Sequence, residues 1–155
     1  MRLVKVFSWG TVIKPELYER LQSLDARVFV DAKNEFKENR EWWVIEDKGQ
    51  IIAYCGSLYA ERICIFIRAW VFKDYRGKGI QSKMIKTRLK AAKGCYKAIT
   101  YVSFDGVHSM NNLIKNGFLT YTPQAQYAGK EFLYFYRELG LPYSISDCLY
   151  WSISC

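Results

Sequence analysis

Apolar residues in the first part of the chain follow a strand-like spacing and then a helix-like spacing. Leu3 to Phe7 alternates apolar and polar positions, which predicts a half-buried strand. Pro15 follows at a position typical of a first helical turn, where proline is tolerated. One helical face then carries Leu17, Leu21, Leu24 and Val28. The pattern predicts an amphipathic helix here, and a short second helix around Asn34–Glu38.

The middle of the chain contains three β-rich runs. Trp42–Glu46 and Ile51–Leu58 are separated by Asp47–Gln50, whose sequence Asp-Lys-Gly-Gln favours a hairpin turn. Arg62–Phe72 is a third run of β-branched and aromatic residues. We therefore predict three consecutive strands, of which the first two form a hairpin.

The remaining sequence predicts two helices and three strands. A helix ending near Gly94 is indicated by one apolar face, formed by Ile80, Met84, Ile85, Leu89 and Ala92. Tyr96–Phe104 is typical of a strand, and Val107–Asn116 of a helix that ends at Gly117. Two closing strands are expected at Phe118–Tyr121 and Phe132–Glu138. The order β, α, α, β, β, β, α, β, α, β, β predicts a mixed α/β architecture with one sheet covered by helices.

The length and the composition of the chain predict a single globular domain. The chain has 155 residues, half of them apolar, which is enough for a buried core. We expect no membrane contact, because no apolar run reaches the roughly 18 residues of a spanning helix and Met1 to Phe7 lacks a signal-peptide core. Five cysteines without metal-ligand spacing predict no metal site and a reducing, cytoplasmic setting. Tyr143–Cys155 is expected to form an extra edge strand or a subunit contact, as in a homodimer.

The net charge of +8 comes from one segment of the chain. Between Tyr75 and Phe104 there is no acidic residue, and the basic ones are Arg76, Lys78, Lys83, Lys86, Arg88, Lys90, Lys93 and Lys97. The rest of the chain is neutral, with 15 acidic residues and the same number of basic ones. We expect a polyanion to bind there, either a phosphorylated cofactor or a nucleic acid, with a solvated helix face as the alternative.

A strand followed by a glycine-rich helix start carries the most specific motif. Residues 68–82 are Arg-Ala-Trp-Val-Phe-Lys-Asp-Tyr-Arg-Gly-Lys-Gly-Ile-Gln-Ser. Unpaired backbone N–H groups and the helix dipole at such a start favour a phosphate or pyrophosphate. The spacing excludes a Walker A loop, GxxxxGK[ST], and Ser82 stands where a dinucleotide fingerprint has its third glycine.

The same segment resembles motif A of the GNAT acyltransferases, whose pattern is Q/R-x-x-G-x-G/A. Arg76 and Gly79 match it, whereas Gln81 stands where the family has Gly or Ala. Residues 109–118, Ser-Met-Asn-Asn-Leu-Ile-Lys-Asn-Gly-Phe, resemble motif B, a helix followed by a strand that begins Gly-Phe. The resemblance covers roughly residues 1–139 as one domain and leaves 140–155 as a C-terminal tail.

The GNAT resemblance implies a fold and a cofactor. The fold is a single mixed, mostly antiparallel sheet with two splayed parallel central strands and helices on both faces. Acetyl-coenzyme A is expected between those strands, which are Arg62–Phe72 and Tyr96–Phe104. The implied cofactor contacts are Val71, Phe72, Arg76, Gly77, Lys78, Gly79, Ile80, Gln81, Ser82, Ser109 and Asn112. The side chain of Gln81 is expected either to crowd the pyrophosphate or to contact it.

The implied reaction is direct transfer of the acetyl group to an amine of a small molecule or a protein. The backbone N–H of Val71 is expected to polarise the thioester carbonyl, and Ser109 to contact pantetheine. Leu113 stands where the family commonly has a proton-donating tyrosine. Asp105 is the first candidate for the base, with capping of the helix at Val107 as its alternative role; the weaker candidates are Glu61 and His108.

Two other functions stay open at the level of sequence. A GNAT-fold protein could bind or modify nucleic acid through the basic 76–97 segment. An inactive GNAT module could serve protein contacts, since Gln81 and Leu113 depart from the family pattern.

Overall fold

The computed structural model describes residues 1–140, so the contacts predicted for residues 143–155 lie outside the described residues. The described chain contains eight strands and three α-helices. In chain order these are β1 (Val4–Ser8), β2 (Thr11–Val12), α1 (Pro15–Val28), β3 (Arg40–Asp47), β4 (Gln50–Ala60), β5 (Ile63–Val71), α2 (Ile80–Ala91), β6 (Lys97–Ser103), α3 (Val107–Lys115), β7 (Leu119–Tyr121) and β8 (Phe132–Glu138). A single 3-10 turn, Lys73–Tyr75, leads into α2.

All eight strands form one sheet in the order β2-β1-β3-β4-β5-β6-β8-β7. Its only parallel neighbours among the described strands are β5 and β6, and every other pair is antiparallel. These two strands pair only where Ile63–Ile65 faces Lys97–Ile99. Beyond that point β5 and β6 diverge, so a gap opens between their carboxyl ends. The predicted mixed sheet with two splayed central strands is confirmed.

Helices cover both faces of this sheet, as predicted. On one face α1 contributes Leu21 to a core that contains Val6, Trp42, Tyr54 and Ile67. On the opposite face α2 and α3 pack together over a core that includes Phe66, Ile85, Leu113, Phe118 and Phe135. The consecutive tryptophans of β3 show the alternation of a strand, because Trp42 faces α1 and Trp43 packs with Ile80 and Met84 of α2.

The predicted helix around Asn34–Glu38 is wrong, because that segment is irregular. The side chain of Asn34 accepts the backbone N–H of Phe36 at 3.0 Å, a local bond that competes with helix formation. The ring of Phe36 then stacks on Trp42 with centroids 4.4 Å apart. A long-range contact therefore sets the position of this segment.

The predicted hairpin at Asp47–Gln50 is confirmed. Lys48 and Gly49 have φ angles of 51° and 76°, and Asp47 pairs with Gln50. Two successive positive φ values are what a two-residue turn needs to match the twist of its strands. The short strand β2 was not predicted, since two residues carry no periodicity.

Candidate active site

The turn before α2 is shaped by two glycines in the left-handed region. Gly77 and Gly79 have φ angles of 77° and 78°, which residues with a side chain rarely adopt. A Cβ added at either position would meet nothing within 4 Å, so the turn is open on this side. Gly79 is the N-cap residue of α2. The backbone of the turn is thus accessible to a ligand.

Six successive backbone N–H groups, Gly77 to Ser82, have no acceptor within residues 1–140. No acidic side chain lies in the first turn of α2 to compete for them. The side chain of Arg76 donates from Nε to the Val71 carbonyl at 3.1 Å, which ties the turn to the end of β5. Free amides, a helix N-terminus and a fixed loop together suit a diphosphate group, and residues 76–82 are therefore called the phosphate turn below.

Val71 is the last residue of β5, and the backbone N–H groups of Val71 and of Phe72 after it point to opposite sides of the strand. Phe72 donates its N–H to Ile52 of β4 at 2.8 Å, and its carbonyl accepts Tyr75 N–H at 2.8 Å. Because successive residues of a strand point their N–H groups in opposite directions, Val71 directs its N–H toward the gap beside β6. The Val71 N–H is therefore available to a ligand in the gap, whereas the backbone N–H and carbonyl of Phe72 are both already bonded.

A β-bulge lies in β5 where the two central strands separate. Gly56 pairs with Ile67 and Cys55 pairs with Ala69, so Arg68 is an extra residue, with a φ of 48°. Its Nε donates to Asp25 of α1 at 3.0 Å and its Nη2 to the Lys33 carbonyl at 2.7 Å. This bulge was not predicted, because β5 has no glycine to indicate it.

A cavity of about 430 Å³ lies in the gap between the splayed strands. Its wall is formed by β5, β6, α2 and α3, together with Phe29 and Phe132. Polar side chains on this wall include Arg68, Gln81, Arg88, Thr100, Tyr101, Ser103 and Ser109. Leu113 also lines it, so the position of the family's proton donor is apolar here. The predicted cleft between the central strands is present.

Gln81 links α2 to α3. Its Nε2 donates to the Ser109 hydroxyl oxygen at 2.8 Å, and its Oε1 accepts Asn112 Nδ2 at 2.9 Å. A second link follows, in which Asn116 Nδ2 donates to the Ser82 hydroxyl at 3.0 Å. The Gln81 amide is therefore engaged with α3 and is accommodated without pointing along the phosphate turn. Ser109 Oγ acts as an acceptor, which leaves its own proton free to donate.

The predicted bases lie at different distances from this cavity. Asp105 is exposed at the end of β6 and accepts the Ser103 hydroxyl at 2.7 Å. The alternative prediction, that Asp105 caps the helix at Val107, is wrong, because the N-cap of α3 is Gly106 and no side chain caps this helix. Glu61 lies in the turn before β5, at the opposite end of that strand from Val71. His108 is exposed in the first turn of α3.

Several residues of the cavity wall were missed by the sequence analysis, among them Arg88, Tyr101 and Ser103. From the sequence, Arg88 was grouped with the exposed basic residues of the 76–97 segment, but Arg88 is only 3% exposed. The available signal was its spacing of four from Met84, on the apolar face of the predicted helix. Tyr101 lies against the rings of Tyr127 and Phe132, and burial raises the pKa of its phenol.

Four lysines of the basic 76–97 segment are exposed. Lys83, Lys86 and Lys90 lie on α2, and Lys93 follows its last residue, Ala91. Lys83 lines a groove beside β1 together with Arg2, Lys5 and Lys14, on a different side of α2 from Gln81 and Ile85.

Within residues 1–140 no helix is long and apolar enough to cross a membrane, and no group of three metal-ligating side chains occurs.

Comparison with known proteins agrees with this geometry. The model of the Acetyltransferase (GNAT) family matches residues 6–118, which include both the phosphate turn and the α3 helix. The chain belongs to the GNAT acetyltransferase family. A search of curated proteins gives no significant match, so neither the acceptor nor the reaction of this GNAT protein follows from a close relative.

Solved structures share the GNAT fold at low sequence identity. A Klebsiella pneumoniae protein described as an acyl-CoA N-acyltransferase is 14% identical, with 90% of this chain and 97% of that chain covered and a TM-score of 0.69. Tetrahymena GCN5 is 16% identical, with 93% and 99% covered and a TM-score of 0.66. A Bacillus anthracis protein named as a streptothricin acetyltransferase, in complex with acetyl coenzyme A, is 17% identical, with 66% and 64% covered and a TM-score of 0.55.

Proposed function

We propose that this GNAT protein is an N-acetyltransferase that transfers the acetyl group of acetyl-coenzyme A directly to an amine. The observation that carries the proposal is the row of six free N–H groups at the start of α2, beside the gap between β5 and β6. A diphosphate held at this helix start would direct the rest of the coenzyme into the cavity of about 430 Å³.

The proposed cofactor contacts are of two kinds, namely groups that bind the pyrophosphate and polar side chains on α3. The N–H groups of Gly77, Lys78, Gly79, Ile80, Gln81 and Ser82 would hold the pyrophosphate, and the side chains of Arg76 and Lys78 add positive charge at an exposed position. Ser109 and Asn112 lie on α3, where Gln81 fixes both side chains. Ser109 lines the cavity and would contact the coenzyme from the α3 side, with Asn112 beside it.

Bound acetyl-coenzyme A supplies an activated acetyl group as a thioester. The Val71 N–H points into the gap, where it would stabilise negative charge on the carbonyl oxygen during transfer. The new carbon–nitrogen bond forms as the carbon–sulfur bond breaks, so the amine must lose one proton and the sulfur must gain one. Ser109 would relay a proton from solvent to the sulfur, giving up its own hydroxyl proton as its Oγ takes one from water. The Ser109 Oγ accepts from Gln81, so the hydroxyl proton is free to point toward the sulfur.

The proton from the amine would leave through Ser103 and Asp105. Ser103 lines the cavity, and its hydroxyl donates to the Asp105 carboxylate at 2.7 Å. Ser103 would accept the proton of the amine while passing its own to Asp105, which brings an exposed carboxylate into contact with the cavity. The two proton steps of direct transfer would therefore use side chains of β6, α3 and the loop between them, and the Val71 N–H of β5 would stabilise the carbonyl oxygen.

A thiol-release screen tests this proposal. The purified chain is mixed with acetyl-coenzyme A and a panel of amines that includes a polyamine, an aminoglycoside, amino acids and a lysine peptide. We expect free thiol to appear with at least one amine, and mass spectrometry to find that amine acetylated. Binding of coenzyme A without thiol release from any amine would contradict the proposal and favour an inactive GNAT module.

A second function, binding or modification of nucleic acid, is favoured by the cations in the groove between α2 and β1. The groove beside β1 has a volume of about 550 Å³ and is lined by Arg2, Lys5, Lys14 and Lys83. Of these, Lys5 is paired with Glu41 at 2.8 Å. Cations turned away from the cavity suit a nucleic-acid backbone better than a coenzyme. Binding to RNA and DNA at two salt concentrations tests this, since phosphate contacts weaken steeply with salt.

A further inference from the structure

Arg88 is a buried cation whose partners are all uncharged. Its side chain lies on α2, and the residue is 3% exposed. The guanidinium donates from Nε to the Met84 carbonyl at 3.2 Å and from Nη1 to the Gly56 carbonyl at 3.3 Å. A longer contact of 3.5 Å joins Nη1 to the Arg68 carbonyl, and the ring of Phe66 lies 4.1 Å from the guanidinium carbon.

No carboxylate neutralises Arg88 within residues 1–140. The salt bridges of this part of the chain join Lys5 to Glu41, Arg20 to Glu46, Arg40 to Glu35 and Arg68 to Asp25. The thiols near Arg88 do not replace a carboxylate, because burial raises the pKa of Cys55 to about 11 and that of Cys64 to about 12. Both thiols are therefore neutral near pH 7.

The buried charge opens onto the cavity between β5 and β6. That cavity is lined by two cations, Arg68 and Arg88, and by no acidic side chain of the described chain. Arg68 already has Asp25 as its partner, so Arg88 is the cation without an anion. A guanidinium kept away from water without a counter-ion is costly, and an anion in the cavity would remove that cost.

We propose that Arg88 binds a carboxylate carried by one of the two substrates, so that the cavity selects an anionic acyl group or an anionic amine over its neutral counterpart. The proposal rests on the acyl transfer from coenzyme A to an amine proposed above and names the substrate class of that site. A carboxylate on the donor would make a larger, anionic acyl group the preferred one in place of acetyl, whereas a carboxylate on the amine keeps acetyl as the donor. Guanidinium–carboxylate pairs are among the strongest hydrogen-bonded contacts in proteins. The two sources of the carboxylate share this chemistry and are separated by experiment.

The first arm of the experiment varies the donor. Succinyl-coenzyme A is compared with pentanoyl-coenzyme A, which has a similar acyl length but no terminal carboxylate. Calorimetry gives the two dissociation constants, and thiol release gives kcat/KM. The second arm keeps acetyl-coenzyme A and compares amino acids with the corresponding amino acid amides. We expect a preference of about tenfold or more for the carboxylate in one arm, the scale of a charge-assisted hydrogen bond.

Two variants assign that preference to Arg88. Arg88→Met keeps the length of the side chain without its charge, and we expect the preference to fall to near unity. Arg88→Lys keeps the charge without the planar fork, and we expect part of the preference to return. The preference of the wild-type chain is measured without either variant, so a folding defect in Arg88→Met would not remove the test.

The outcomes separate this proposal from the proposed function. Coenzyme A binding with equal use of carboxylate and neutral substrates in both arms would overturn the role of Arg88 and leave the acetyltransferase intact. A preference that persists in Arg88→Met would also overturn it, because the carboxylate would then be bound elsewhere. Absence of coenzyme A binding would contradict the proposed function itself, and the Arg88 proposal with it.

Discussion

At the scale of single residues, the site depends on Arg68. This residue adopts a φ of 48°, a conformation that costs free energy in a residue with a side chain. Its guanidinium donates to Asp25, which also accepts the Tyr54 hydroxyl at 2.6 Å. The pair is almost fully buried, with side chains 9% and 7% exposed. The bulge that separates β5 from β6 is therefore fixed to the helix on the other side of the sheet.

We expect Arg68→Ala to lower the free energy of unfolding by about 3 kcal/mol, because the Asp25 carboxylate would stay buried without its cation. Urea denaturation measures the change. The control is Arg20→Ala, which breaks the salt bridge to Glu46, whose two side chains are 36% and 37% exposed. That variant should lose less than about 1 kcal/mol. Equal losses in the two variants would show that the Arg68 pair contributes no more than a surface pair.

At the scale of elements, the contact between α2 and α3 determines how the two walls of the cavity are placed. Gln81 bonds to both Ser109 and Asn112, and Asn116 bonds to Ser82. The phosphate turn and the proposed proton donor therefore belong to two helices that are joined by side-chain amides. Binding at one helix and proton transfer at the other should be separable by mutation.

The Gln81→Ala variant should lower kcat roughly tenfold while the dissociation constant of coenzyme A stays close to that of the wild type. The reason is that Ser109 loses the donor that orients its hydroxyl, whereas the backbone N–H groups of the turn are unaffected. Asn116→Ala is the control, since it removes the other α2–α3 bond without touching Ser109. A loss of coenzyme A binding in Gln81→Ala with kcat unchanged would contradict this division.

At the scale of the whole molecule, sequence predicted the sheet and its helices better than it predicted the site. Strands and helices with a long apolar face were correct to within a few residues, because burial imposes their periodicity. The segment around Asn34 was missed because a local amide bond and a distant tryptophan determine it. The burial of Arg88 was missed because its charge grouped it with Lys86 and Lys90, although its spacing from Met84 places it on the apolar face, where it packs against Phe66.

Because its buried thiols must stay protonated, the protein is expected to lose stability as the pH becomes alkaline. The pKa of Cys55 is raised by burial from 9.0 to about 11, so folding favours the protonated thiol. This contribution is complete below pH 9 and is lost as pH rises through 11. We expect the free energy of unfolding to fall over this window by about 2 kcal/mol more in the wild type than in Cys55→Ala. Parallel pH profiles of the two proteins would contradict the assignment.

The proposed coenzyme site depends most directly on the phosphate turn, and calorimetric titration with coenzyme A tests its role in three proteins. Gly79→Glu places a negative side chain at the start of α2, whereas Gly94→Glu is the matched control. Gly94 lies beyond the other end of α2, has a φ of 82° and also has open space around its Cβ position. We expect tight binding by the wild type and Gly94→Glu, and binding weakened about tenfold or more in Gly79→Glu. Equal affinity in all three proteins would contradict this role of the phosphate turn.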